Sequence, residues 1–426
     1  MTTMNSRMKR QIRWSDEANL RCRYLAALVF VAVMHFVPAI ADTEVDYWSP
    51  WVTKTTTQSA TINWRGEDDG LGLIAYATVR YYNEHKCFEK TIASMTMGAD
   101  QHVELAHLQP DTSYVYRVWP SGNAGAFGNR TFQTMPNKGP FTFIVIGDSR
   151  EGIHCSEEMR FKYVAEAIAK EPKVLFVIHS GDHARMDEEA RWSNYFHAAD
   201  AMFAKSAIFP VIGNHEYHDP KGGANPPTAA DQYHWAYDMP LTYSFDCSNV
   251  RFVVLNSPDP ANSGGGGDPQ TSLALAQSQE NWLKKQLDRF KLGAFTIQHH
   301  PIWSLGSTAN NPDLQPWENL YHSRRISANF AGHVHNYQRF LVKGIPYFDV
   351  GTAGAPWSNL TGPTPLGYQF GDTMKLGYLK IFVDPKRNIA TAQEMIVADV
   401  YESDSNEVPH VYDPPRIGDT VTFRLR

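Results

Sequence analysis

Cysteine is scarce: the 426-residue chain has four, and no two are spaced as Cys-x-x-Cys. That excludes a thiolate-held structural zinc. Loss of Cys22 with a leader would leave Cys87, Cys155 and Cys247, an odd number that makes no disulfide framework. One bridge is open to an exported chain, and Cys155 with Cys247 is the expected pair because both fall in the larger C-terminal part. An excess of positive charge is also missing. Lysine and arginine number 39 against 45 acidic residues, a net charge of −6. Removing residues 1–41 takes away six basic and two acidic residues and brings the charge to −10. A chain this acidic lacks the clustered lysine and arginine of an extended nucleic-acid surface, so any phosphate it meets is handled locally. No internal repeat is evident.

Long apolar runs are absent with one exception, residues 24–41, YLAALVFVAVMHFVPAIA. Arg7, Lys9, Arg10, Arg13, Arg21 and Arg23 precede it, and it ends in Ala39-Ile40-Ala41. A basic start, an apolar middle and a small-residue exit predict a secretory signal over 1–41, cut before Asp42. His35 and Pro38 make the same run a poor membrane span. The expected location is therefore secreted or periplasmic, with no stable span after cleavage. Oligomeric state is not written in the sequence.

The length predicts two folded units. Residues 42–136 read as all-β, with short runs such as TQSATINW, YATVRYY and TSYVYRVW separated by turn clusters. Beyond the linker Pro136-Asn137-Lys138-Gly139-Pro140 the pattern changes to apolar runs alternating with helix-like stretches. The predicted strands are FTFIVI (141–146), VLFVIH (174–179), AIFPVI (207–212), VRFVVL (250–255), AFTIQ (294–298) and ISANFA (326–331). Phe161, Val164, Ala165 and Ile168 mark one helical face; Trp282, Leu283, Gln286, Leu287 and Phe290 mark another. Strands alternating with helices predict an α/β domain over 140–400, followed by a C-terminal segment 401–426. Residues 258–272, PDPANSGGGGDPQTS, read as a long loop, with a flap as the functional alternative.

Chemistry concentrates where the predicted strands stop. FIVIGD ends at Asp148 and FVIHSGD at Asp182. PVIGNHE carries Asn214 and His215, QHHP carries His299 and His300, and GHVH carries His333 and His335. Parallel strands would gather these ends along one edge of the sheet. Carboxylate, amide oxygen and neutral imidazole suit zinc, manganese or iron. Six such groups exceed the needs of one ion; two ions ~3.5–4 Å apart and bridged by one carboxylate would use them all. Gly147-Asp148-Ser149 also admits a serine nucleophile, as in GDS-type esterases. That alternative needs a late Asp-x-x-His, and the α/β part offers only Asp231-Gln232-Tyr233-His234, far from the end. It also leaves the GNHE, HHP and GHVH turns unexplained.

GD, GD, GNH, H-x-P and GHxH in that order resemble the calcineurin-like metallophosphoesterases. The two-part layout resembles their purple acid phosphatase branch, in which a fibronectin type III-like sandwich precedes the catalytic domain. Leu108-Gln109-Pro110-Asp111-Thr112-Ser113-Tyr114-Val115-Tyr116 resembles the tyrosine-corner segment of such sandwiches. The resemblance implies a four-layer αββα sandwich for the α/β part and a dinuclear centre of two divalent or trivalent ions (zinc, manganese or iron). By position the first ion takes Asp148, Asp182 and His335. The second takes Asp182, Asn214, His299 and His333, with Asp182 bridging. The H-x-P phase leaves His300 facing the substrate, and His215 matches the residue that serves the leaving group.

Two departures stand out. Arg185 occupies the place of the branch's iron-binding tyrosine, three residues after Asp182. Arg150 stands where other branches carry a histidine, two residues after Asp148. The first site therefore lacks both usual extra ligands, and no purple colour is expected. Arg150 is expected to grip a phosphate oxygen in its planar fork. The expected activity is hydrolysis of small phosphate monoesters, acid-phosphatase-like, by a metal-held hydroxide. A phosphodiesterase or nucleotidase is the alternative, and a phosphate-binding module with little turnover the alternative from another class.

Overall fold

Six apolar runs become the parallel strands that carry the site, and they do so in two sheets. The computed structural model describes residues 47–66, 71–95, 98–120, 125–217, 230–257, 269–306 and 312–426. The expected signal at 1–41 lies outside them, as does most of the predicted 258–272 loop. Its last residues, from Pro269 on, open a helix instead (Pro269–Leu287). Proline at a first helical position costs nothing, because its missing N–H would have no helical partner there.

The chain divides into two compact units, and the division is discontinuous. Residues 51–63, 104–112 and 132–426 form the larger unit; 64–103 and 113–131, with 50 and the residues before it, form the smaller. The 108–116 segment thus straddles both. In the smaller unit Leu73–Thr78 pairs antiparallel with Lys90–Ala93 on one side and Ser113–Trp119 on the other. The run YATVRYY, expected as strand throughout, is strand only to Thr78 and helix over Val79–His85. Thr78 makes the switch: its hydroxyl accepts the Tyr81 N–H at 3.1 Å, capping the helix.

In the larger unit the first sheet places Phe141–Ile146 beside Val174–His179, then Ala207–Pro210, then Trp51–Thr53, all parallel neighbours. Lys375–Asp384, Ile389–Asp399 and His410–Arg424 extend the other side antiparallel, so the C-terminal segment is a strand of this sheet. The second sheet runs Tyr243–Cys247, Val250–Val254, Gly293–Ile297, Ala328–Ala331, Ile345–Val350, Tyr337–Val342 and Tyr368–Asp372. Its second to fifth strands are parallel.

The two sheets meet through phenylalanine. Phe143 lies 5.1, 5.7 and 6.0 Å, between ring centroids, from Phe252, Phe295 and Phe330 of the other sheet. Phe176 reaches Phe245 at 5.5 Å, and Phe209 stacks on the same ring at 3.9 Å. Six of these seven rings are buried, and Phe245 is partly buried. Each buried ring contributes about 1.5–3 kcal/mol by leaving water, and edge-to-face pairing adds to that.

Helices cover the outer faces. Phe161–Lys170 buries Phe161, Val164, Ala165 and Ile168, the predicted face, and Phe161 stacks on Tyr195 of the Glu189–Phe203 helix. On the far side Leu283 and Leu287 join Trp317 and Tyr321 of the Gln315–Arg324 helix over Val253, Ala294 and Tyr347. Helix, sheet, sheet, helix gives the four layers. The strand ends do not share one sheet edge, as the sequence suggested; they come from two stacked sheets. The expected Cys155–Cys247 bridge is absent: Cys87, Cys155 and Cys247 are all free, and Cys155 and Cys247 are buried as thiols. Among the described residues no helix is long and apolar enough to cross a membrane.

Candidate metal centre

Asp148 and Asp182 stand just past the ends of two neighbouring strands of the first sheet, each after a glycine. Both have left-handed backbones, with φ of 58° and 57°; His333 and His335 share this feature at 72° and 39°. Such conformations cost non-glycine residues of order 1–3 kcal/mol, and they persist only where the surroundings enforce them. Here the loops enforce one another. Asp148 donates its N–H to Gly181 O at 3.0 Å, and Ser149 donates to Asp182 O at 3.1 Å. From the second sheet, His333 donates its N–H to Asp148 Oδ2 at 2.8 Å. Glycine is needed where the loops touch. A side chain at Gly213 would collide with Asp182 Oδ1, and a Cβ on Gly332 would sit 2.6 Å from Asp148 Oδ2.

The predicted ligands converge. His299 Nε2 lies 3.2 Å from Asp182 Oδ1 and 3.0 Å from Asn214 Oδ1. His333 Nδ1 lies 3.2 Å from the same Asn214 oxygen. Ligating atoms of Asp148, Asp182 and His299 fall within 4.8 Å of one another, as do those of His299, His300 and His333. His335 Nε2 is 3.5 Å from Asp148 Oδ1, an oxygen that is buried and accepts no hydrogen bond. His215 donates its N–H to Asp182 Oδ1 at 3.1 Å, and its ring Nε2 is 3.8 Å from Asp182 Oδ2. His300 is pinned by Ser257, whose Oγ lies 3.0 Å from its Nδ1 and accepts its N–H at 2.9 Å.

Three imidazoles are oriented by backbone carbonyls, which only accept. His299 therefore donates Nδ1–H to Ser180 O at 2.8 Å, His335 to Pro356 O at 2.7 Å, and His215 to Arg185 O at 2.7 Å. In a neutral ring this leaves each Nε2 with its lone pair turned into the site. For His299 that lone pair faces two acceptor oxygens, those of Asp182 and Asn214. With His299 neutral, three lone pairs aimed at one another repel; a proton on Nε2 relieves this, and so does a metal ion among them. The donor set Asp182, Asn214, His299 and His333 therefore fits a metal ion, and its oxygen and nitrogen make-up suits zinc, manganese or iron.

Charge states point the same way. Burial and then the neighbouring Asp182 carboxylate push the Asp148 carboxyl well above its ordinary range. Burial also works against an ionised Asp182, yet His299, His215 and Arg150 outweigh it and hold the group well below the usual range. Burial, then Arg150, brings His335 down to about 3; burial, then His300, depresses His333. Two buried carboxylates this close stay ionised together only against a cation, and neutral imidazoles are the form that binds one.

Arg150 does not reach outward as a free fork. Its Nε–H donates to Asp182 Oδ2 and its Nη2 to His335 Nε2, both at 3.4 Å, and Nη1 donates to Glu151 O at 3.0 Å. Ser149 is fully buried: its hydroxyl donates to His183 O at 3.0 Å and meets His179 Nε2 at 2.8 Å. Ser149 leaves no exposed surface from which to meet a substrate.

The sequence reading overlooked Glu216. Its buried carboxylate accepts the N–H groups of Asp182, His183 and Gly213 at 3.0, 2.7 and 2.6 Å, tying two ligand-bearing loops together. Its place directly after Asn214-His215 was the available signal.

Comparison with known proteins fits this architecture. The family description "Calcineurin-like phosphoesterase" matches residues 141–337. An uncharacterised protein of Mycobacterium tuberculosis is 24% identical over 68% of this chain and 58% of its own length. Purple acid phosphatase 21 of Arabidopsis thaliana is 25% identical over 57% and 54%, and the purple acid phosphatase of Glycine max 23% identical over 76% and 69%. The chain thus spans little more than half the length of the first two. Among solved structures, that of PhoD superposes with a TM-score of 0.70 at 16% identity, covering 91% of this chain and 92% of PhoD. The yellow lupin purple acid phosphatase PPD1 gives 0.66 at 13% identity, over 89% and 74%. These likenesses establish a shared fold, an α/β sandwich of mixed sheets. Residues 141–337 thus form a calcineurin-like phosphoesterase domain, and purple acid phosphatases are among the homologues of the chain.

Proposed function

We propose that this protein is an exported, metal-dependent hydrolase of small phosphate monoesters. One observation carries the reading: His299 Nε2 meets Asp182 Oδ1 and Asn214 Oδ1 at 3.2 and 3.0 Å, a convergence of donor atoms that a bound metal ion would satisfy. The names of its relatives support the substrate class. Besides the purple acid phosphatases they include the phosphoenolpyruvate phosphatase of Allium cepa, 25% identical over 66% of this chain and 60% of its own.

A bound cation supplies Lewis acidity for the phosphoryl oxygens and lowers the pKa of a water molecule. The remaining work belongs to side chains. His215, held by Arg185 O with Nε2 facing the site, is assigned to the leaving-group oxygen. His300, braced by Ser257, is assigned to the substrate phosphate. Asp182 orders the site, because it meets His215, His299 and Arg150 at once. The fibronectin type III-like character of residues 42–136, the signal over 1–41 and the absence of purple colour belong to the same reading.

Elemental analysis beside p-nitrophenyl phosphate hydrolysis, for wild type and Asp182→Ala, tests it. The expected result is bound transition metal and turnover in the first and loss of both in the second. A variant that keeps its metal and its rate overturns the reading.

A further inference from the structure

Arg150 contacts two of the three side chains that the first of two ions would use. A cation bound by Asp148, Asp182 and His335 needs Asp182 Oδ2, the Nε2 lone pair of His335 and Asp148 Oδ1. Two of these three are already engaged. Arg150 Nε–H points at Asp182 Oδ2 and Nη2–H at His335 Nε2, each at 3.4 Å. The roles are fixed by chemistry: guanidinium has only donors, and His335 Nε2 has only a lone pair because Nδ1–H is given to Pro356 O. The arginine is also not a mobile surface arm. Its side chain is 13% exposed, and Nη1 is anchored on Glu151 O at 3.0 Å.

The chain around Arg150 is fixed from outside. Asp404 accepts the N–H groups of Ile153 and His154 at 3.1 and 2.8 Å, and Arg160 donates to the carbonyls of Ser403 and Glu402, both at 2.8 Å. Swinging the guanidinium out would leave a buried carboxylate and a buried imidazole to be satisfied by an ion with only three protein ligands. A guanidinium and a divalent ion cannot share one position: two positive charges at contact distance repel strongly in a low-dielectric site. The other position has a full protein set in Asp182, Asn214, His299 and His333, and among the described residues no arginine is hydrogen-bonded to Asn214, His299 or His333.

We propose that the Arg150 guanidinium takes the place of one metal ion, so that the protein works with a single ion in the Asp182, Asn214, His299 and His333 site and a fixed positive charge beside it. This rests on the metal-dependent reading above and departs from the two ions expected from sequence. Asp148 then serves the loop of the second sheet through the His333 N–H. Its free Oδ1 alone does not hold an ion.

Equilibrium dialysis of the full chain against Zn²⁺ or Mn²⁺, followed by elemental analysis, reads the stoichiometry. The electron paramagnetic resonance spectrum of the Mn²⁺ form reads it independently, since an isolated ion gives six resolved hyperfine lines and a coupled pair does not. Wild type is expected to hold one ion per chain with the six-line spectrum. Arg150→Ala and Arg150→His, which vacate the position, are expected to take up a second ion and show the coupled spectrum. Two ions per chain in wild type, or variants that still hold one, would overturn the inference and leave the phosphatase reading standing. No ion at all would overturn both.

Discussion

Glu216 Oε2 accepts the backbone N–H of Asp182 at 3.0 Å, so the carboxylate of one strand-end loop sets the main chain of another. The same side chain also takes the N–H groups of Gly213 and His183. Glu216→Ala would leave three N–H groups without partners in a buried loop, at about 1–3 kcal/mol each. We expect a marked fall in melting temperature and roughly 10–100-fold weaker metal binding, as for other groups that orient ligands. Thermal melts beside metal titration would show both; unchanged metal affinity would remove Glu216 from the ligand-positioning role.

His215 should matter only when the leaving group needs a proton. His215→Ala is expected to lower kcat by roughly 10²–10⁴-fold on an alkyl phosphate, the range of general acid catalysis, and far less on p-nitrophenyl phosphate. Metal content should stay at the wild-type value. Equal losses on both esters would argue against proton donation.

Ser149→Ala should leave turnover within a factor of a few. The cost falls on stability, because His179 Nε2 and His183 O lose a buried partner. About 1–3 kcal/mol is at stake. A complete loss of activity in a folded, metal-loaded variant would reopen the serine mechanism.

A pH effect on stability is expected away from the metal centre. Burial, and then the adjacent Glu151 carboxyl, raise Glu157 from 4.5 to about 9. Between those values the folded protein keeps a proton that the unfolded chain releases, so stability falls as pH rises through the window. Glu157→Gln removes that slope. Its melting temperature should lose less between pH 5 and pH 8 than that of wild type; parallel curves would refute the assignment.

The parts of the site that were legible in the sequence are those written in side-chain type. Asp148, Asp182, Asn214, His299, His333 and His335 each follow an apolar run, and strands Phe141–Ile146 and Val174–His179 span the predicted residues. Sheet assignment was not legible. An apolar run ending in a ligand looks the same in either sheet, and only its hydrogen-bonded neighbours assign it to one or the other. Glu216 escaped notice because its partners are backbone N–H groups, which leave no mark in sequence. The helix at Val79–His85 was hidden by its tyrosines, which favour strands as readily; the cap at Thr78 decides.

The phenylalanine seam between the sheets has a consequence for assembly. Asp148, Asp182 and Asn214 arrive on one slab, and His299, His333 and His335 on the other, so registry between the slabs sets the bite of the ligands. A hydrocarbon contact thereby acts as the jig in which an inorganic centre is built. Trimming Phe143 to leucine, well below the chemistry, should surface first as looser ion retention and only later as unfolding.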